Sequence, residues 1–291
     1  MEWYSFVIVT IITLLVLTYN PLLSTIKYSF YDISVLGFDE AFCGVDNYSL
    51  ILNNPIFLRA IGNTFILATL GLLTIPLGFV LATLINALGK GKWQSFFRVG
   101  FYLPNIITGV SVILIFQVIL KSNNGLLNNT LSLLTGQDVR IGWLSDSDFA
   151  RYGVTFISIW GGLGYSMLIN LASLQSIPRE IYEAAEVDGA NAFHRWKTLT
   201  IPHMKSCFSF LFITSIIGGL ARFTDVFILG GNSASGNPGG TLQTILMYIY
   251  QFSFEMPQYG IASAGAMILF VITFVITLIN LRMTGFFKKK I

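Results

Sequence analysis

Long apolar runs alternate along the chain with short polar segments. Uncharged stretches cover residues 3–26, 60–89, 99–120, 152–178 and 256–281, and a sixth run, 206–230, is interrupted only by Arg222 and Asp225. A helix needs about 20 mostly apolar residues to cross the hydrocarbon core of a bilayer, and each run reaches that length. The pattern predicts transmembrane helices near 4–24, 61–88, 99–120, 153–174, 206–230 and 260–281. The expected architecture is an all-α integral membrane protein with six transmembrane helices, forming a single domain over 1–291. The first run lacks a basic lead and a clean small-x-small cleavage site, so it reads as a retained helix rather than a signal peptide.

Composition narrows the picture. The 291 residues are 54% hydrophobic and only 11% charged, whereas a soluble domain carries about 25% charged residues. So few charges cannot cover a water-exposed surface, and the same figures exclude a disordered chain. A net charge of +3, carried by dispersed residues, gives no basic footprint for nucleic acid. Cys43 and Cys207 are far apart, and the imidazoles are those of His194 and His203. No metal-ligand spacing results, so both cysteines read as small apolar residues and no metal site is expected.

Charge also sets an expected orientation. An even number of spans places both termini on one side of the membrane. Lys90, Lys92, Arg98, Arg179, Arg195, Lys197, Lys205, Arg282, Lys288, Lys289 and Lys290 fall on that side. The opposite side carries Lys27, Arg59, Lys121, Arg140 and Arg151, with Asp32, Asp39, Glu40, Asp46, Asp138, Asp146, Asp148 and Glu255 among them. The positive-inside rule puts the first set and both termini in the cytoplasm. The external segments are then 27–59, 121–152 and 231–259. The last opens with GGNSASGNPGG, which reads as a flexible turn-rich loop. Residues 241–254 follow as a short amphipathic helix, with Leu242, Ile245, Leu246, Ile249 and Phe252 on one side, expected on the outer membrane surface.

Residues 175–205, QSIPREIYEAAEVDGANAFHRWKTLTIPHMK, form the most charged part of the chain, yet they join two spans. Pro178 suits a helix start, and Glu180 and Glu183 complement its positive end. That arm should run to about Asp188, where Gly189 ends it. A second arm fits 191–199, stopped before Pro202, with Phe193, Trp196 and Leu199 or Thr200 on one face. A helix–Gly–helix knob of this kind either joins the spans passively or docks in the groove of a partner, with Glu183 seeking an arginine.

The same residues carry a family resemblance. Glu183-Ala184-Ala185, three residues, Gly189, nine residues, then Leu199, Ile201 and Pro202 resemble the EAA signature of binding-protein-dependent ABC importer permeases. Leu199 and Ile201 stand where the family usually has Ile and Leu. The flanking LQSIPREIYEAAEVDGA resembles the sugar-type permeases of the maltose and glycerol phosphate group. FYLPNIITG at 101–109, the 160–164 region, FTDVF at 223–227, TLQTILMYIY at 241–250 and YGIASAGAMILF at 259–270 resemble the same group, so the likeness covers nearly the whole chain. ILGGNSASGNPGGT is longer than the family's usual turn after FTDVF, with Pro238 displaced.

The resemblance implies a type I importer permease fold in a prokaryotic inner membrane. It implies that the 175–205 loop supplies coupling helices to an ATP-binding subunit, through Glu183, Ala184, Ala185, Gly189 and Pro202. This chain has no G-x-x-x-x-G-K-[ST], so ATP and Mg would be bound by the partner subunit, present in two copies, and no cofactor by the chain itself. A second homologous permease, an extracytoplasmic solute-binding protein, a saccharide and the lipid bilayer complete the implied partners.

Charges within a span default to functional candidates, because each costs about 2.5–3.5 kcal/mol on insertion scales. Arg222 and Asp225 are three residues apart and can pair on one helix face, either as the wall of a solute cavity or as a structural pair. Gln117, Trp160, Tyr165 and Asn170 are further path candidates, with Trp160 and Tyr165 able to stack on a sugar ring. Other solutes remain as alternatives: an amino acid, or an anion such as a phosphorylated polyol met by Arg222. An ion-coupled secondary transporter would need inverted repeats or several intramembrane carboxylates, and Asp225 alone qualifies.

Overall fold

The computed structural model describes residues 2–33, 40–107 and 109–283. Asp39, Lys288, Lys289 and Lys290, used above to assign sidedness, lie outside the described residues. Among the described residues, four helices are long and apolar enough to cross a membrane alone, and two bent pairs qualify when each pair is taken as one span.

Helix α1 (Val7–Tyr28) leads into a short antiparallel hairpin, β1 (Tyr31–Ile33) and β2 (Glu40–Phe42), with Asp32 opposite Ala41. Helix α2 (Asp46–Leu52) follows. The second span starts earlier than the apolar run indicated. Asn54 caps the amide of Ile56 at 2.9 Å and Pro55 occupies the first turn, so local capping rather than hydropathy sets the boundary. It comprises α3 (Pro55–Gly71) and α4 (Thr74–Ala87).

The run 99–120 is not one straight helix. Helix α5 (Lys92–Ile106) and helix α6 (Gly109–Ile119) meet at 94°. Pro104 lies inside α5, where its ring removes a backbone donor and crowds the preceding turn, and Ile107 is extended. After α7 (Leu126–Thr135), helix α8 (Ala150–Gln175) crosses unbroken, close to its expected bounds.

The 175–205 knob forms two arms, α9 (Arg179–Val187) and α10 (Ala192–His203). The second arm passes through Pro202 instead of stopping before it. The stretch Trp196–Thr200 is a π turn in which the Ile201 amide reaches back to the Trp196 carbonyl. The widened turn precedes Pro202, so the helix continues past a residue that has no N–H to give. The chain then bends by 58° into α11 (Lys205–Leu220).

The expected span 206–230 ends at Leu220. Residues 221–223 leave the helix, and a short α12 (Thr224–Leu229) follows. The Thr244 hydroxyl donates to the Arg222 carbonyl at 2.8 Å, satisfying backbone freed by the break. Helix α13 (Ile245–Tyr250) does not lie on the outer surface. Leu242, Ile245, Met247 and Tyr248 are buried, and the segment plugs between α3 and α14 (Tyr259–Met283).

Helix α8 is the centre of the assembly. On one side Met167 and Leu171 pack against Phe79 and Ala82 of α4. On the other, Val154 and Ile157 meet Val112, Ile113 and Phe116 of α6. Close approach depends on Gly164, where a Cβ would run into the Phe101 carbonyl of α5. In lipid such packing, rather than removal of apolar surface from water, holds helices together. Val80 and Leu84 of α4 and Val271 and Phe274 of α14 point outward, as lipid-facing residues do.

Candidate functional site

The 175–205 elbow is built by local chemistry. Pro178 is extended at the head of α9, and Glu180 occupies the first turn. At the far end, Asp188, Gly189 and Ala190 amides donate to the Ala184, Glu186 and Ala185 carbonyls at 2.9–3.1 Å. Gly189 has φ +77°, a conformation that favours glycine, and open space lies around it. The Asn191 side chain then caps α10 by accepting from the His194 amide at 2.8 Å.

Two contacts join the arms and two root them in the membrane part. The Arg195 guanidinium lies 2.8 Å from Glu186, and the Tyr182 and Thr200 hydroxyls are 2.9 Å apart. Trp196 stacks between Phe193 and Phe79 of α4, at 6.1 Å to each ring. Met204, at the base, is fully buried. The tip is different: Val187 is 89% and Phe193 69% exposed. Glu183 is also exposed and pairs within its own helix, 3.1 Å from Arg179. Ala185, Gly189, Asn191 and His194 border a groove of about 530 Å³ between the arms. Ala184 sits on α9 beside it, and Pro202 lies where α10 enters the membrane part.

The second candidate region lies at the two helix breaks. Arg222 Nε donates to Asp225 Oδ2 at 2.7 Å, and Nη2 also bonds that oxygen and the Ser158 hydroxyl of α8. The Val154 carbonyl accepts from Nη2 at 3.4 Å. This is the pairing expected from the sequence, but Arg222 lies in the non-helical break while Asp225 sits in the first turn of α12, and the pair ties α12 to α8. Gln117 donates to the Ile228 carbonyl at 3.4 Å, joining α6 to α12. Trp160 meets Phe116 edge-on, with ring centres 5.2 Å apart.

Ser158 and Tyr165 are seven residues apart and share a face of α8, whereas Trp160 is turned about 200° from Ser158. Trp160 and Tyr165 therefore do not form a common stacking wall. Asn170 stands apart from the others. It is fully buried, bonds back to Ser166 at 2.8 Å and faces Cys207 of α11. It joins α8 to α11.

Residues 74–285 match the family described as the binding-protein-dependent transport system inner membrane component. The chain belongs to this family. The multiple sugar-binding transport system permease protein MsmF of Streptococcus mutans is 31% identical over 98% of this chain and 96% of that protein. The arabinooligosaccharides transport system permease protein AraP of Bacillus subtilis is 30% identical over 98% of this chain and 89% of its own length. A solved bacterial ABC transporter involved in import of the acidic polysaccharide alginate superposes with a TM-score of 0.82 at 26% identity, covering 99% of this chain and 96% of that one. A related structure holds the same kind of transporter with a pentasaccharide-bound periplasmic protein. The chain is thus a multi-pass permease of the ABC importer type.

In this permease, sequence reasoning missed several polar residues. Ser158 joins the Arg222–Asp225 pair, and the Asn105 amide donates to the Gly161 carbonyl at 3.3 Å beside it. At the 231–244 loop, the Asn63 amide donates to the Gly240 and Gln243 carbonyls at 2.8 and 3.0 Å. Arg151 donates to Asn63 Oδ1 at 2.8 Å, and Arg59 to the Gly239 carbonyl at 3.2 Å. The loop expected to be flexible is therefore pinned, with Ala234 and Leu242 fully buried. Isolated polar residues inside apolar runs, Asn63 and Ser158 above all, were the available signal. Among the described residues, no group of three or more His, Cys, Asp or Glu side chains converges as a metal site would require.

Proposed function

We propose that this chain is the membrane-spanning subunit of an ATP-driven importer for a sugar or oligosaccharide handed over by an external binding protein. It works with a second, similar permease and two copies of an ATP-binding subunit, and the elbow of α9 and α10 is its lever. Both termini face the cytoplasm. The observation that carries this reading is the elbow itself. An internally braced, charged protrusion presents Val187 and Phe193 to the outside and is rooted through Trp196 and Met204 to the helices that surround the path.

Closure of the partner ATPase would drag the tip. Because Trp196 stacks on Phe79, the motion passes to α4 and, through Phe79 and Ala82, to α8. The helix breaks at Ile107 and Phe223 give the bundle points at which it can rock between outward and inward openings. Solute contacts would come from Asp225, Gln117, Trp160 and Tyr165, on elements that meet at those breaks, with Arg222 holding Asp225 from the protein side. Relatives named for multiple sugars and arabinooligosaccharides support a saccharide as the cargo.

The test uses the complete complex in proteoliposomes. Glu183→Ala and Gly189→Pro should each abolish solute-stimulated ATPase while membrane insertion persists. Coupled transport at the normal rate in both variants would refute the assignment.

A further inference from the structure

A cavity of about 270 Å³ opens where α5 breaks, and its charge is one-sided. Pro104 and Asn105 of α5, Val112 of α6, Ser158 and Gly161 of α8 and Asp225 of α12 border it. Drug-sized ligands take about 300–1,000 Å³, so this volume suits one sugar ring of a longer chain. Asp225 fronts the cavity. Its partner does not border it, and the Arg222 side chain is only 10% exposed against 26% for Asp225.

The hydrogen bonds explain the asymmetry. Arg222 spends Nε and Nη2 on Asp225, on the Ser158 hydroxyl and on the Val154 carbonyl, all on the protein side. Asp225 Oδ1 accepts the Val226 amide at 2.9 Å. Among the described residues bordering the cavity there is no Lys, Arg or His. A ligand entering here meets a carboxylate, an amide and a hydroxyl, with the compensating cation behind them.

We propose that this cavity, taken as part of the saccharide path above, accepts uncharged sugar rings and turns away carboxylated ones, with Asp225 as the discriminating residue. A sugar hydroxyl can donate to the carboxylate. A uronate would bring a second anion against the first, and among the described residues bordering the cavity no further cation stands ready to offset it. Recruiting Arg222 to the ligand offers no escape, because it strips Asp225 of its partner.

The experiment measures sugar binding directly, by saturation-transfer NMR on the assembled permease–ATPase complex in nanodiscs at millimolar sugar. The binding protein is left out, so that its own selectivity does not decide the result. The probes are galactobiose with digalacturonate and mannobiose with dimannuronate. The expected result is neutral-sugar binding at least tenfold tighter than that of its uronate partner. Asp225→Asn should bring the ratio within threefold of unity, and Asp225→Glu should keep it near tenfold. Equal or tighter uronate binding by the wild type overturns the proposal and leaves the saccharide reading standing, as does an unchanged ratio in Asp225→Asn. Should Asp225→Asn fail to assemble, the wild-type and Asp225→Glu ratios decide. Absence of binding by all four probes to the wild-type complex counts against the saccharide path itself, and so against this proposal with it.

Discussion

Arg195 and Glu186 sit on opposite arms of the 175–205 elbow, and their side chains meet at 2.8 Å. Arg195 is largely covered while Glu186 is 69% exposed, so the bridge is screened by water on one side. Exposed pairs contribute about 0–1 kcal/mol. Arg195→Ala should therefore lower coupled transport by no more than about fivefold, the factor that 1 kcal/mol represents. Transport assays on the reconstituted complex, set beside Glu183→Ala, separate bracing of the elbow from contact with the motor.

Gly189 offers a cleaner test of backbone geometry. Its φ of +77° is the obstacle to replacement, since nothing crowds a side chain there. A non-glycine residue in this region costs about 1–2 kcal/mol, with Asn tolerated better than most. Gly189→Asn should retain most of the stimulated ATPase, and Gly189→Val should lose far more. Equal activity in the two variants would show that the turn conformation does not matter.

The elbow was legible in the sequence because its signals are local. Pro178, Gly189 and Asn191 act within a few residues of their own positions, and the structure places the first arm and the turn where they indicate. The span breaks were less legible. Hydropathy reports side-chain polarity, but the interruptions at Ile107 and Phe223 are backbone events, signalled only by Pro104 and by the Arg222–Asp225 pair. Burial of 231–250 was not legible at all. It depends on Asn63 bonding Gly240 across 177 positions, and an apolar face reads the same whether lipid or protein covers it.

That pinning can be measured. Asn63→Ala removes two bonds to the loop and strips Arg151 of a partner. Leaving buried polar groups unsatisfied costs about 1–3 kcal/mol. Hydrogen exchange in 231–244 should rise severalfold, while exchange in the elbow stays unchanged.

The α5–α8 crossing makes a packing prediction. A methyl at Gly164 would meet the Phe101 carbonyl, which belongs to a helix backbone and cannot swing aside. Overpacking of this kind costs about 1–3 kcal/mol. Gly164→Ala should lower the thermal midpoint of the detergent-solubilised complex, and Gly161→Ala, which meets nothing within 4 Å, should not.

Arg222 and Asp225 depend on each other in the same way. Removing one member of a buried pair costs about 3–5 kcal/mol, while replacing both with apolar residues is often neutral. Arg222→Met should destabilise the complex in thermal unfolding, and the Arg222→Met/Asp225→Leu double variant should recover much of the loss.

The most direct test of the lever is a thiol cross-link from its tip. Val187 is 89% exposed and lies at the end of the first arm. In an otherwise cysteine-free, assembled complex, Val187→Cys should cross-link efficiently to the ATP-binding subunit, with a yield that changes when ATP is added. An intact, transport-competent complex in which this position cross-links to no other polypeptide would contradict the account.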